Sequence, residues 1–303
     1  MFSALHHFFI KNINCLIEQK QVKAMEKLFI IIGGDSRLYF LNKQLLSKNF
    51  KTEHIFYGDF SAKEASLSKI PKADIIILPV PLTKDKVSLF APNISYKVLL
   101  EEIALKINKN AVVFGGGICP VFSNGFNYRN ILNDEVMTLK NAMATAEAAL
   151  SIIINQNNKT IFGSNILILG YGRIGKILSN YLYALHGKVT VCARKENIRA
   201  EAQLSGYETT DFNNLKKALS KSDIIVNTVP YPVIAKNELQ AINKEAVIID
   251  LASAPGGIDF VTAKNMNIKA IQALSLPGKY SPESSAEYIE ESVLNTLRKE
   301  QIL

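Results

Sequence analysis

Apolar runs of strand length alternate along this chain with longer stretches whose apolar residues return every three or four positions. In the first half the runs predict strands over 28–32, 54–57, 75–78 and 111–114. They are punctuated by Gly33-Gly34, Pro79 and Gly115-Gly116-Gly117. The intervening segments 38–48 and 97–106 carry helical periodicity. Residues 133–155 hold neither glycine nor proline and are rich in Ala, Met, Leu and Ile, which predicts one long inter-domain helix. A second array follows, with strands over 165–169, 188–192, 224–227 and 246–251 and helices over 174–184 and 213–221. A last helix covers 283–298.

Alternating β and α segments whose strands are almost wholly apolar predict parallel sheets covered by helices on both faces. The fold class expected is α/β: two Rossmann-like doubly wound parallel-sheet domains, with the C-terminal helix returning to the first. The first domain spans 25–140 together with 283–303, and the second spans 141–282. Residues 1–24, MFSALHHFFIKNINCLIEQKQVKA, fit neither array. No basic cluster precedes their apolar residues and no small-residue cleavage site follows, so they read as an appendage, or an over-extended start, rather than a signal peptide.

Composition narrows the function classes. The 303 residues are 48% hydrophobic and 20% charged, an ordinary globular balance. The net charge of +8 comes from Lys and Arg scattered among acids, which favours a small anionic ligand over nucleic acid. Cys15, Cys119 and Cys192 stand far apart, without metal-ligand or disulfide-framework spacing, so no metal is expected and a reducing, cytoplasmic setting suits them. No apolar run approaches the roughly 18 residues that span a bilayer.

The segment Ile166-Leu167-Ile168-Leu169-Gly170-Tyr171-Gly172-Arg173-Ile174-Gly175 carries G-x-G-x-x-G between a strand and a helix. There Gly170 permits the tight turn, Gly172 admits a pyrophosphate against bare backbone, and Gly175 lets helix and strand pack closely. The helix start contributes free N–H groups and partial positive charge to the phosphates. A cofactor site is therefore expected at Gly170, Tyr171, Gly172, Arg173, Ile174 and Gly175.

About twenty residues beyond such a loop, NAD-binding chains place an acid on the ribose hydroxyls. Here the second strand runs Val189-Thr190-Val191-Cys192-Ala193 and ends in Arg194-Lys195. A guanidinium suits a 2′-phosphate instead. A hydrogen bond to a charged group contributes about 1.5–3 kcal/mol, or about one to two orders of magnitude in affinity. NADP is the cofactor expected.

The four histidines are His6, His7, His54 and His186, none in the last third of the chain. Hydroxy-acid dehydrogenases keep a proton-shuttling histidine there, so this chain calls for another acid/base or for chemistry that needs none. Three loops remain as candidates: Asn227-Thr228-Val229-Pro230, with Asn227, Thr228 and Pro230 beside the cofactor; Asp250 to Gly257, with Ser253 toward substrate; and Leu276 to Pro282, with Lys279.

Taken in order, Gly33-Gly34-Asp35-Ser36-Arg37, Leu78-Pro79-Val80-Pro81, Asn141 to Ala148 (NAMATAEA), the glycine loop, Asn227 to Pro230, Asp250 to Gly257 and Leu276-Pro277-Gly278 resemble the A subunits of dipicolinate synthase from spore-forming bacteria. The resemblance runs from about Met25 to the C-terminus. It implies NADP-linked oxidation of dihydrodipicolinate, a branch product of lysine biosynthesis, to dipicolinate. It also implies an oligomer, a partner in the form of a flavoprotein-like B subunit, and action in the mother-cell cytoplasm during sporulation. Hydride loss aromatises such a dihydropyridine, so the protein need mainly hold a small dicarboxylate in place. Arg37, Arg173 and Lys279 are the cations expected to hold it, and Thr145 and Glu147 the long-helix groups expected to face it, Glu147 as acceptor of the ring proton. The chain departs from the family at Ser281-Pro282-Glu283-Ser284-Ser285-Ala286, where an acid stands in place of a base; at a helix start Glu283 suits the dipole. Two other readings fit the same residues: a shikimate- or amino-acid-type NADP dehydrogenase with a Lys–Asp pair, and a non-catalytic NADP(H)-sensing module.

Overall fold

A computed structural model of the chain describes residues 26–59 and 62–303, so the expected appendage at 1–24 lies outside the described residues. The chain divides into two compact units, one reaching to Thr138 and taking back Pro282–Leu303, the other Leu139–Ser281.

Among the described residues the first unit holds five strands: β1 (Leu28–Ile32), β2 (Lys51–Ile55), β3 (Ile75–Ile77), β4 (Val112–Gly115) and β5 (Asn127–Asn130). They pair in the order β2-β1-β3-β4-β5, every neighbour parallel. Strands β3 and β4 are buried throughout and β1 at all but its first residue, which is why they read as runs without a polar residue. Asp35 caps the helix Ser36–Ser47, accepting the Arg37 amide. That helix buries Leu38, Leu41 and Leu45 on one stripe. The last helix, Pro282–Lys299, meets the same core with Ala286, Ile289, Val293 and Leu297, again three or four residues apart. The return of the C-terminal helix is thus observed, and truncating a buried side chain such as Ile289 to Ala costs about 2–5 kcal/mol. Glu283 sits in the first turn, where its charge complements the dipole.

The second unit holds six strands: β6 (Asn165–Leu169), β7 (Lys188–Cys192), β8 (Glu208–Thr210), β9 (Ile224–Asn227), β10 (Val247–Asp250) and β11 (Lys269–Gln272). Their order is β11-β10-β9-β6-β7-β8, also all parallel. Both sheets are doubly wound. The strand order reverses between β1 and β3 in the first unit and between β6 and β9 in the second, and ligands of such sheets bind beyond the carboxyl ends at that reversal.

Several expectations need correction. The helix read over 97–106 is only Leu100–Ala104, and the one over 213–221 is a 3-10 turn, Phe212–Asn214, followed by Leu215–Leu219. The strand read at 54–57 is Lys51–Ile55, because pairing with β1 starts at Lys51 and Phe56 turns to φ +58°. The Leu276 segment is a short helix, Leu276–Tyr280, rather than a loop. Strands β5, β8 and β11 and the helices Glu196–Leu204 and Phe260–Asn265 carry no expectation from the sequence. Among the described residues no helix is long and apolar enough to cross a membrane. No group of three or more His, Cys, Asp or Glu among them could hold a metal ion.

Candidate functional site

At the end of β6 the three glycines meet three different demands. Gly170 has φ +91°, and a Cβ there would sit 2.5 Å from Thr228 Oγ1. Its amide donates to the Cys192 carbonyl at 2.9 Å, tying the turn to β7. Gly175 faces the Gly170 carbonyl oxygen so closely that a side chain cannot fit between helix and turn. Around Gly172 a Cβ would meet nothing within 4 Å, so bare backbone opens onto free space at the N-cap of the 12-residue helix Arg173–Ala184. A cleft of about 1120 Å³ begins there. Its size and the exposed helix amides fit a dinucleotide with its diphosphate over Gly172.

The cleft continues past the end of β7. Arg194 and Lys195 line it, both exposed, and no side-chain bond holds the Arg194 guanidinium among the described residues. Ile198 and Val233 add apolar wall, and Tyr231, 69% exposed, also lines it. Two groups without a sequence-based expectation also line it, Arg199 and Asp211. Asp211 caps the turn after β8, and bonds from the Asn214 side chain and amide hold its carboxyl below the usual carboxylate range. Arg199 lies on the helix Glu196–Leu204. Its signal in the sequence was that helix, with an acid in its first turn and Ile198 and Ala202 on one stripe. Beneath the rim the Cys192 thiol is pushed up to about 12 by burial, which leaves it unreactive.

The loops after β9, β10 and β11 follow the carboxyl ends of adjacent strands, as expected. The structure gives Asn227 a different task from cofactor contact. It is fully buried, its Nδ2 donates to the Val229 carbonyl (3.0 Å) and Asp250 Oδ1 (2.8 Å), and its Oδ1 accepts the Val229 amide. Asp250, also fully buried, accepts in addition from the Ala252 and Gly257 amides. This pair therefore shapes both loops, and Gly257 has no side chain because Asn227 Nδ2 occupies the space. Thr228 donates to the Leu169 carbonyl at 2.9 Å and closes the switch point from the β9 side. Pro230, Ser253 and Lys279 are exposed and lie outside the cleft's lining.

Of the remaining predicted residues, Tyr171 lines the cleft although its ring is buried and its hydroxyl meets Ser205. Arg173 is exposed at the helix start, whereas Ile174 packs into the core beneath; neither lines the cleft. Thr145, on the helix Glu135–Gln156, is buried and spends its hydroxyl on the Asn141 carbonyl at 2.8 Å; Glu147 is exposed. In the first unit Arg37 is not the open cation expected of a carboxylate clamp. It is buried, its Nε and Nη2 hold both Asp35 oxygens (2.9 and 2.8 Å), and Nη2 also donates to the Val80 carbonyl. An arginine so engaged orders the loops after β1 and β3.

A six-stranded sheet with this order and this glycine turn defines the nicotinamide-nucleotide domain of a dehydrogenase. Residues 139–256 match the D-isomer specific 2-hydroxyacid dehydrogenase NAD binding domain. The fold is shared with D-lactate dehydrogenase from Escherichia coli (TM-score 0.60, 14% identity, 90% of this chain and 97% of that one). Residues 28–137 match a different description, the N-terminal domain of the dipicolinate synthase A subunit. Over about nine-tenths of its length the chain is similar to dipicolinate synthase A subunits. It is 26% identical to the dipicolinate synthase A subunit of Bacillus subtilis over 283 residues, 89% of this chain and 95% of that one. Crystal structures of the dipicolinate synthase A subunits from Bacillus halodurans and Bacillus subtilis superpose on it with TM-scores of 0.78 at 25% identity. They cover 90% and 92% of this chain and 98% and 99% of theirs. The chain is thus an oxidoreductase of the dehydrogenase type with a nicotinamide nucleotide as cofactor.

Proposed function

We propose that this chain catalyses the NADP-dependent oxidation of dihydrodipicolinate to dipicolinate, working with a flavoprotein-like B subunit in the mother-cell cytoplasm of a sporulating bacterium. The observation that carries the reading is the cationic rim of Arg194 and Lys195 on the glycine-loop cleft, in a chain similar to dipicolinate synthase A subunits over about nine-tenths of its length. Bound NADP supplies the two-electron acceptor. The chain's own part is to hold the nucleotide phosphates on the Gly172 amides and the helix start, and to keep the added 2′-phosphate beside Arg194.

The substrate carries two carboxylates, and Arg173 and Lys279 are exposed cations suited to them. Arg37 serves by ordering its loop. Losing a hydride and one ring proton turns the dihydropyridine into an aromatic pyridine, so the driving force lies in the substrate and a weak base suffices. Glu147, exposed on the long helix, is the carboxylate assigned to take that proton. The absence of any histidine beyond His186 agrees with this economy.

The test is turnover. The purified chain, with its partner, dihydrodipicolinate formed in situ and NADP, is expected to accumulate a product absorbing as pyridine-2,6-dicarboxylate. Cofactor binding without turnover on either nicotinamide nucleotide would favour a non-catalytic NADP(H)-sensing module instead.

A further inference from the structure

One guanidinium in the cofactor cleft serves the backbone rather than a side chain. Arg199 Nη1 donates to two successive carbonyls, Ala193 at 2.9 Å and Arg194 at 2.8 Å. These carbonyls belong to the turn that leaves β7, and that turn displays the exposed side chains of Arg194 and Lys195. The turn's other ties are backbone bonds: the Ala193 amide donates to Thr210, and the Arg199 amide to the Lys195 carbonyl. Without Arg199 the Ala193 and Arg194 carbonyls lose their charged donor, and the peptide between them is free to rotate. Such a rotation redirects the Arg194 side chain, whose own guanidinium has no bond among the described residues to fix it. Arg199 and Asp211 both line the cleft, and the Arg199 charge adds to the effects that keep that carboxyl ionised.

We infer that Arg199 is the positioning residue that sets the preference for a 2′-phosphorylated adenosine, by locking the turn that aims Arg194 into the cleft. This rests on the reading of the cleft as an NADP site. NAD lacks the phosphate and has nothing to gain from the aim of Arg194, so the effect of Arg199 belongs to one cofactor and not the other. Because a single nitrogen makes both carbonyl bonds, the ammonium of a lysine, with three N–H groups, can take its place.

A double-mutant cycle on the full chain, with NADP and NAD affinities read by calorimetry, tests this. Arg199→Met is expected to weaken NADP about tenfold, the equivalent of one lost charged hydrogen bond, and to leave NAD within about threefold. Arg199→Lys is expected to recover most of the NADP affinity. In an Arg194→Ala background, Arg199→Met should cost NADP almost nothing further, since its effect runs through Arg194. Equal loss of both cofactors in Arg199→Met, or NADP losses that add in the double variant, would overturn the inference while the NADP reading stands. A wild-type chain that binds NAD as tightly as NADP would remove both. NAD binding by each variant reports that the unit has folded.

Discussion

The two units are built alike and serve differently. Each is a parallel, doubly wound sheet with a glycine-rich turn after its first strand, and in each that turn lies at the reversal of strand order. In the second unit the turn opens onto about 1120 Å³, and Gly172 stands bare. In the first, Gly33 and Gly34 are hemmed in by Leu89 and Leu38, and Arg37 and Asp35 lie across the crevice toward Val80, leaving no room for a water-sized body. The same topology therefore gives one dinucleotide cleft and one plugged switch point. What separates them is whether the glycine's missing side chain makes room for a ligand or for the protein itself.

Substitutions at the two turns sharpen that contrast. The largest effect on stability is expected from Asp35→Ala, which strands the buried Arg37 charge and should cost about 3–5 kcal/mol in urea unfolding. Cofactor affinity of the folded protein should stay within about twofold, as neither Asp35 nor Arg37 lines the glycine-loop cleft. Gly172→Asp is expected to do the reverse. With open space around it, melting should shift by no more than about 2 °C, while an acid against the diphosphate should weaken NADP by about 100-fold or more. Gly34→Ala comes next: at φ +85°, with Leu38 in the way, it should cost about 1–3 kcal/mol and leave cofactor binding alone.

The smallest effect is a pH dependence confined to the first unit. His54 Nε2 donates to the Gly33 carbonyl at 2.7 Å, and burial holds its pKa below the ordinary value, the Gly33 bond offsetting only part of that. The unfolded chain then binds more protons than the native one below about pH 6.5, so stability should fall as pH drops through that point and be flat above it. His54→Gln should flatten the acid side of the profile in urea titrations. An unchanged slope would mean that other groups set it.

The sequence disclosed the fold where burial leaves a signature. Strands β1, β3, β6 and β9 are buried at nearly all positions, so their apolar runs could be read directly. Strands β5, β8 and β11 lie at sheet edges with half-exposed residues, and NYRN, ETT and KAIQ carry no such run. The glycine loop was readable because each of its glycines answers a separate steric demand. Asn227 was misplaced because a buried amide that folds a loop and an amide that faces a ligand look the same in one dimension. Arg199 stayed hidden for a related reason: its partners are backbone carbonyls, which have no residue type to notice.

The most direct measurement is calorimetric titration of the full chain with NADP and with NAD under identical salt. Both are expected to bind, NADP at least about tenfold more tightly, the gain from one charged hydrogen bond to the 2′-phosphate. NAD binding as tight as NADP, or no heat of association with either, would contradict a cationic rim that reads the phosphate.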